Sequence, residues 1–154
     1  MIDIDDLVTS LRVAGTDSVS VEVKAAGGGL PESVTSSICA LANLPGGGRV
    51  ILGLDERTGF GAVHLADPEG LKAGLASMAR QALRPPVVLT LNEAEVDGER
   101  VIVADVPECP PASKPCTVAA SGKAYVRGHD GDYEISEVER AGYLAARTTP
   151  RFDQ

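Results

Sequence analysis

An α/β (α+β) fold, a single compact domain with a mixed β-sheet and helices packed on it, is predicted by three observations. Apolar residues recur at helical spacing in some segments and alternate in others. The nearly all-apolar run RVILGLD at 49–55 has the pattern of a strand covered on both faces. Asp97-Gly98, set between two strand-like runs, is a strong hairpin signal.

Each element follows in order. Ile4, Leu7, Val8 and Leu11 stand at helical spacing with Asp3, Asp5 and Asp6 in the first turn, which predicts a helix over 3–13. After Gly15, VSVEVK at 19–24 alternates strictly, placing Val19, Val21 and Val23 on one strand face and Ser20, Glu22 and Lys24 on the other. Gly27, Gly28 and Gly29 form a loop, and Pro31 suits the first position of a helix. That helix has the stripe Val34, Ile38, Leu41 and Ala42, and ends between Asn43 and Gly48. A strand at 49–55 and a short one at 61–65 come next. Asp67 suits the N-cap of a helix from Pro68 to about Leu83, which Pro85 and Pro86 stop.

Strands over 87–96 and 99–106 flank the Asp97-Gly98 turn. Pro107, Pro110, Pro111 and Pro115 make 107–118 a loop. KAYVR at 123–127 reads as a strand, with a short one at 132–135. Ser136 and Glu139 form a capping box for a last helix reaching about Ala146. The organisation expected is an N-terminal helix (1–14), one domain (15–147) and a tail (148–154), with no internal repeat.

Composition bounds the function. The chain has 154 residues, enough for one domain with a real core. Two Phe, three Tyr and no Trp leave packing to Val, Leu, Ile and Ala. No apolar run is long enough to span a membrane, and the acidic N-terminus lacks the basic start of a signal peptide, so a cytoplasmic location is expected. Cys39, Cys109 and Cys116 are odd in number and show no C-x-x-C, which argues against a disulfide framework or a zinc ribbon. A net charge of −8 opposes nonspecific phosphate binding, so any nucleic-acid contact needs a local cluster of Arg and Lys. The phosphate loop G-x-x-x-x-G-K-[ST] is absent, His64 and His129 stand alone, and no serine sits in a nucleophile elbow.

Four pieces in fixed order carry a resemblance: VEVK, then ALANLPGG, then ILGLDE followed by GFGAV, then YVRGHD. Over roughly residues 15–130 the chain resembles the Schlafen-type AlbA-like domain, formerly described as a divergent AAA domain. The resemblance implies a compact α/β unit. It also implies a DNA-binding or other nucleic-acid-binding role, because bacterial members are mostly transcriptional-regulator-like. Some eukaryotic relatives are endoribonucleases acting on transfer RNA. Their three acids match Asp17, Glu22 and Asp55, although Asp17 stands where those members have glutamate, and Val23 replaces the family's phenylalanine.

Two readings of these acids stay open. As a nuclease site, Asp17, Glu22 and Asp55 would converge on Mg²⁺ or Mn²⁺, which prefers oxygen ligands. Otherwise Glu22 pairs with Lys24 or a neighbouring strand while Asp17 and Asp55 cap turns, and no cofactor is needed. The second is favoured, which makes a non-enzymatic role the expectation. Lys24, Arg49, Lys114, Lys123 and Arg127 are the candidate phosphate contacts. The partner expected is nucleic acid, DNA before RNA, in a transcriptional regulator. The chain is read as a piece of a longer regulator or as a module working as an oligomer, with a homodimer in view. A third reading is a protein-interaction or oligomerisation domain without a nucleic-acid role.

Overall fold

The computed structural model describes residues 1–129 and 131–148. Its elements are α1 (Asp5–Ala14), β1 (Val21–Lys24), α2 (Val34–Asn43), β2 (Gly48–Leu52), β3 (Leu54–Asp55), β4 (Gly61–Ala62), α3 (Pro68–Gln81), β5 (Leu83–Arg84), β6 (Thr90–Val96), β7 (Glu99–Val106), β8 (Thr117–Val118), β9 (Tyr125–Arg127), β10 (Asp132–Glu134) and α4 (Glu137–Thr148).

The central sheet has the order β1-β2-β7-β6. β1 and β2 are parallel, so the chain must cross between them, and α2 makes the crossing. β7 runs antiparallel to both β2 and β6, which completes the predicted mixed sheet. Asp97 and Gly98 turn the β6–β7 hairpin with φ of 52° and 81°, as a two-residue turn with both central residues left-handed requires.

Alternation along the two central strands divides the interior into two cores. Val50 and Leu52 of β2, with Ile102 and Ala104 of β7, pack with residues of α2 and α3. Ile51, Val101 and Val103 face the other way and pack with Val8 and Leu11 of α1. Helices therefore cover both faces, which is why RVILGLD carries so few polar residues.

Two glycines fix the sheet's ends. A Cβ on Gly47 (φ +68°) would fall on the Val106 carbonyl oxygen. Gly53 (φ +111°) breaks the 49–55 run into β2 and β3; its N–H donates to the Lys24 carbonyl at 2.9 Å and its carbonyl accepts from Val63 at 2.7 Å.

The sequence-based bounds shift in several places. The helix expected to open on Pro31 begins at Val34, and Pro31 stands before it, its carbonyl accepting from the Val34 N–H at 3.1 Å. The helix expected to reach about Leu83 stops at Gln81, because Leu83 pairs in β5, and the strand expected at 123–127 begins at Tyr125. The first strand begins at Val21 rather than Val19, because the chain turns at Ser18 and leaves Val19 exposed. The strand expected from 87 begins at Thr90, since the Val87 N–H instead bonds Ala79 at the end of α3. The strand expected over 61–65 is confined to β4. Within the proline-rich loop, β8 pairs antiparallel with β5, a two-residue ladder too short to show a period. The tail expected at 148–154 lies, but for the end of α4, outside the described residues.

α2 ends on Asn43, which is buried. Its Nδ2 donates to the carbonyls of Cys116 (3.0 Å) and Tyr125 (2.9 Å). Its Oδ1 accepts from the Cys116 N–H at 2.7 Å. The proline-rich loop and β9 are thus fastened to the helix end.

Candidate nucleic-acid interface

Val21 and Val23 of β1 belong to the α1 core, so Glu22 and Lys24 stand on the opposite face of the strand. Burying Glu22 there is costly unless it is paired. Arg127, ending β9, supplies the partner: its Nη1 donates to Glu22 Oε2 and, at 2.8 Å, to Asp132 Oδ1. Asp132 sits directly opposite Arg127 in the β9–β10 ladder. Lys24 Nζ holds the other Glu22 oxygen at 3.0 Å. Ser37 of α2 donates to Asp132 Oδ2 at 2.9 Å. Two acids and two bases balance one another in a nearly closed network.

Arg127 leaves no donor for a phosphate. Its Nε donates to the Val19 carbonyl at 2.9 Å, and its Nη2 to Ser18 (2.8 Å) and Val21 (3.3 Å). With Nη1 on the two carboxylates, all the N–H groups of the guanidinium point inward, and the side chain is 3% exposed. Asp132 and Ser37 are members of this network that the sequence did not single out. The register of β9 against β10 is the only signal for Asp132, and three residues carry too little pattern to reveal it.

Asp17 comes close to Glu22 because the chain turns back at Ser18, whose carbonyl accepts from Val21 at 3.3 Å. Burial, then the Glu22 carboxylate, pushes the Asp17 carboxyl up to about 6. Asp17 and Ser18 line a cleft of about 330 Å³ with His129. Asp55 is engaged separately. It caps a short helical turn by accepting from the Arg57 N–H at 3.0 Å, and the Arg57 guanidinium holds its carboxyl below the usual range.

A shared cation does not fit this arrangement. Both Glu22 oxygens are taken by Arg127 and Lys24, and both Asp55 oxygens by Arg57. Among the described residues, no three of His, Cys, Asp and Glu are grouped so as to hold a metal ion.

The remaining basic candidates are also met by carboxylates. Arg49 bonds Asp105, its cross-strand partner, at 2.8 Å. Lys114 Nζ is buried between Glu108 (2.8 Å) and the Asn43 carbonyl (3.1 Å). Lys123 meets Glu134 at 3.4 Å. Among the described residues, the arginines without a carboxylate partner are Arg80, Arg84, Arg140 and Arg147, none of which the sequence reading picked out. The available signal was Arg140 and Arg147 seven apart, on one face of the last helix.

Comparison with known proteins bears on the family and the fold. A family model described as Schlafen, AlbA_2 matches residues 17–136. The fold is similar to the solution structure of the N-terminal domain of a Nitrosomonas europaea protein described as RecG-related, in the naming of ATP-dependent DNA helicases. The two share 28% identity over 89% of this chain and 92% of that one, with a TM-score of 0.67. It is also similar to the crystal structure of the DIP2311 protein of Corynebacterium diphtheriae, at 20% identity and a TM-score of 0.60 over 92% of this chain. That second match spans 28% of the other chain and speaks to fold alone. No curated protein matches the chain in sequence.

Proposed function

Because the chain belongs to the Schlafen, AlbA_2 family, we propose that it is a nucleic-acid-binding domain, DNA before RNA, of a transcriptional-regulator-type protein. The observation that carries this reading is the family match over residues 17–136, joined by the likeness to a domain of a DNA-helicase-related protein. The reading is non-enzymatic and metal-free: the acids at positions 17, 22 and 55 serve the fold, with Glu22 neutralised by Arg127 and Lys24. Among the described residues no helix is long and apolar enough to cross a membrane, and a cytoplasmic location belongs to the same reading.

Arg49 and Lys123 keep their side chains 41% and 54% exposed and remain candidates for auxiliary backbone contacts. Lys24, Lys114 and Arg127 act through the fold. A homodimer would double the contacts available to an acidic chain.

The test is a salt titration of binding to DNA and RNA. Affinity should fall steeply as salt rises, because phosphate contacts release counterions. Absence of binding to either polymer at low salt defeats the proposal and leaves a protein-interaction role.

A further inference from the structure

Of the four described arginines without a carboxylate partner, three, Arg84, Arg140 and Arg147, line one cleft of about 460 Å³ between α4, the end of β5 and the proline-rich loop. Pro85, Pro115 and Leu144 supply apolar surface, and among the described residues no acidic one lines the cleft. In a chain of net charge −8 this is a local reversal of sign. Glu137, one turn before Arg140 on α4, makes no ion pair with it among the described residues.

The guanidinium groups are positioned by carbonyls, which orient them without removing their charge. Arg147 donates from Nε to the Lys114 carbonyl (2.6 Å) and from Nη2 to Ser113 (3.1 Å). Arg140 Nη2 bonds the Gly122 carbonyl at 3.1 Å. Arg84 Nη1 bonds the carbonyls of Gln81 (3.0 Å) and Leu83 (2.9 Å). Among the described residues, each arginine keeps unused donors of the planar fork that suits phosphate.

We infer that this cleft is where the domain grips the phosphodiester backbone of a nucleic acid, an inference that rests on the nucleic-acid-binding reading above. Two features select a polymer over a free anion. Arg140 and Arg147 are separated along α4 by about 10 Å, so they address different phosphates rather than one. The proline and leucine surface between them can take sugar or base. Sequence would not be read here, since such contacts position a backbone without discriminating bases.

The experiment uses fluorescence anisotropy with a labelled oligonucleotide, single-stranded and as a duplex, over a salt series. It compares the wild type, an Arg84→Gln/Arg140→Gln variant and an Arg100→Gln control outside the cleft. Arg147 is left intact because it ties α4 to the loop. The double variant should bind about tenfold weaker or worse. Its slope of log K against log salt should fall by about two, one per arginine. The control should match the wild type, and an Arg84→Lys/Arg140→Lys variant should recover part of the loss. Circular dichroism melts confirm that the variants fold.

Binding by the double variant equal to wild type, or a loss equal to that of the control, overturns the cleft while the nucleic-acid reading stands. No binding by the wild type overturns both. Displacement of the oligonucleotide by inorganic phosphate at equal phosphate concentration overturns the polymer assignment in favour of a small-anion site.

Discussion

Asn43 holds Cys116 from both sides of the peptide: its Oδ1 accepts the Cys116 N–H at 2.7 Å while its Nδ2 donates to the Cys116 carbonyl at 3.0 Å. One side chain thereby acts as a strand would, pairing with both backbone groups of a residue in a proline-rich segment that has few ladder bonds of its own. Replacement by alanine leaves the buried Cys116 N–H without the Asn43 acceptor and the Cys116 carbonyl with only the Cys39 thiol at 3.2 Å. Asn43→Ala should cost about 3 kcal/mol in urea unfolding. Asn43→Asp keeps the acceptor but loses the donor and buries a charge, so it should be worse at neutral pH and regain stability on acidification, as the carboxyl takes up the proton that restores a donor.

Glu22 and Arg127 are bound into a balanced set of charges, so removing one member leaves the others uncompensated. Glu22→Ala should destabilise by about 3–5 kcal/mol, as for other broken buried pairs. A Glu22→Leu/Arg127→Met double change removes both charges and should lose less than the sum of its single changes in a double-mutant cycle. Additive losses would show that the pair does not act as a unit.

Asp17 gives a pH dependence of defined sign. Its carboxyl is raised to about 6 in the fold, above its ordinary value, so the folded state binds the proton more tightly than the unfolded chain. Its contribution to stability is then full below the unfolded value and falls as pH rises toward 6, with a plateau beyond. Asp17→Asn should flatten that segment of the stability profile. At pH 7 it should gain about 1–2 kcal/mol, after allowing for solvent screening at a half-exposed site.

Cleavage separates the binding reading from the nuclease one. Wild type and Glu22→Ala, each incubated with transfer RNA and Mn²⁺, should leave equal amounts of intact RNA. Cleavage by the wild type that the variant lacks would restore the three-acid site, and with it a rearrangement freeing Glu22 from Arg127.

Cys39, Cys109 and Cys116 are free and buried, and burial raises the Cys109 thiol. Ellman's reagent should therefore label the native protein slowly and all three thiols at once in guanidinium. Rapid labelling of one thiol in the native state would mean that the proline-rich loop opens locally.

Much of the frame was legible because it rests on period and punctuation. RVILGLD, the Asp97-Gly98 turn, the Asp67 cap and the Ser136–Glu139 box each carry their meaning within a few residues, and the structure shows the cap and the box as hydrogen bonds of 2.9 to 3.2 Å. The charged residues were another matter. Whether Arg127 faces solvent or Glu22 depends on where β9 lies relative to β1, across more than a hundred residues. Side-chain type gives no hint of that, since a strand-end arginine reads alike in both settings. Arg84 was equally opaque: it shares a cleft with α4, beside a proline-rich loop whose β8 pairs with β5.

α4 differs from every other helix here in how little of it is covered. Most of its described residues are exposed, with Val138 at 82%, and its ties to the body include Arg140 and Arg147 on backbone carbonyls. Such a helix belongs to the least protected part of a native ensemble, open to hydrogen exchange long before the strands between the two cores. Each excursion would carry Arg140 and Arg147 away from Arg84 and scatter the charges that meet in the cleft. Occupancy by a polyanion would then register as slowed amide exchange along this helix, a footprint of ordering with no displacement of the sheet.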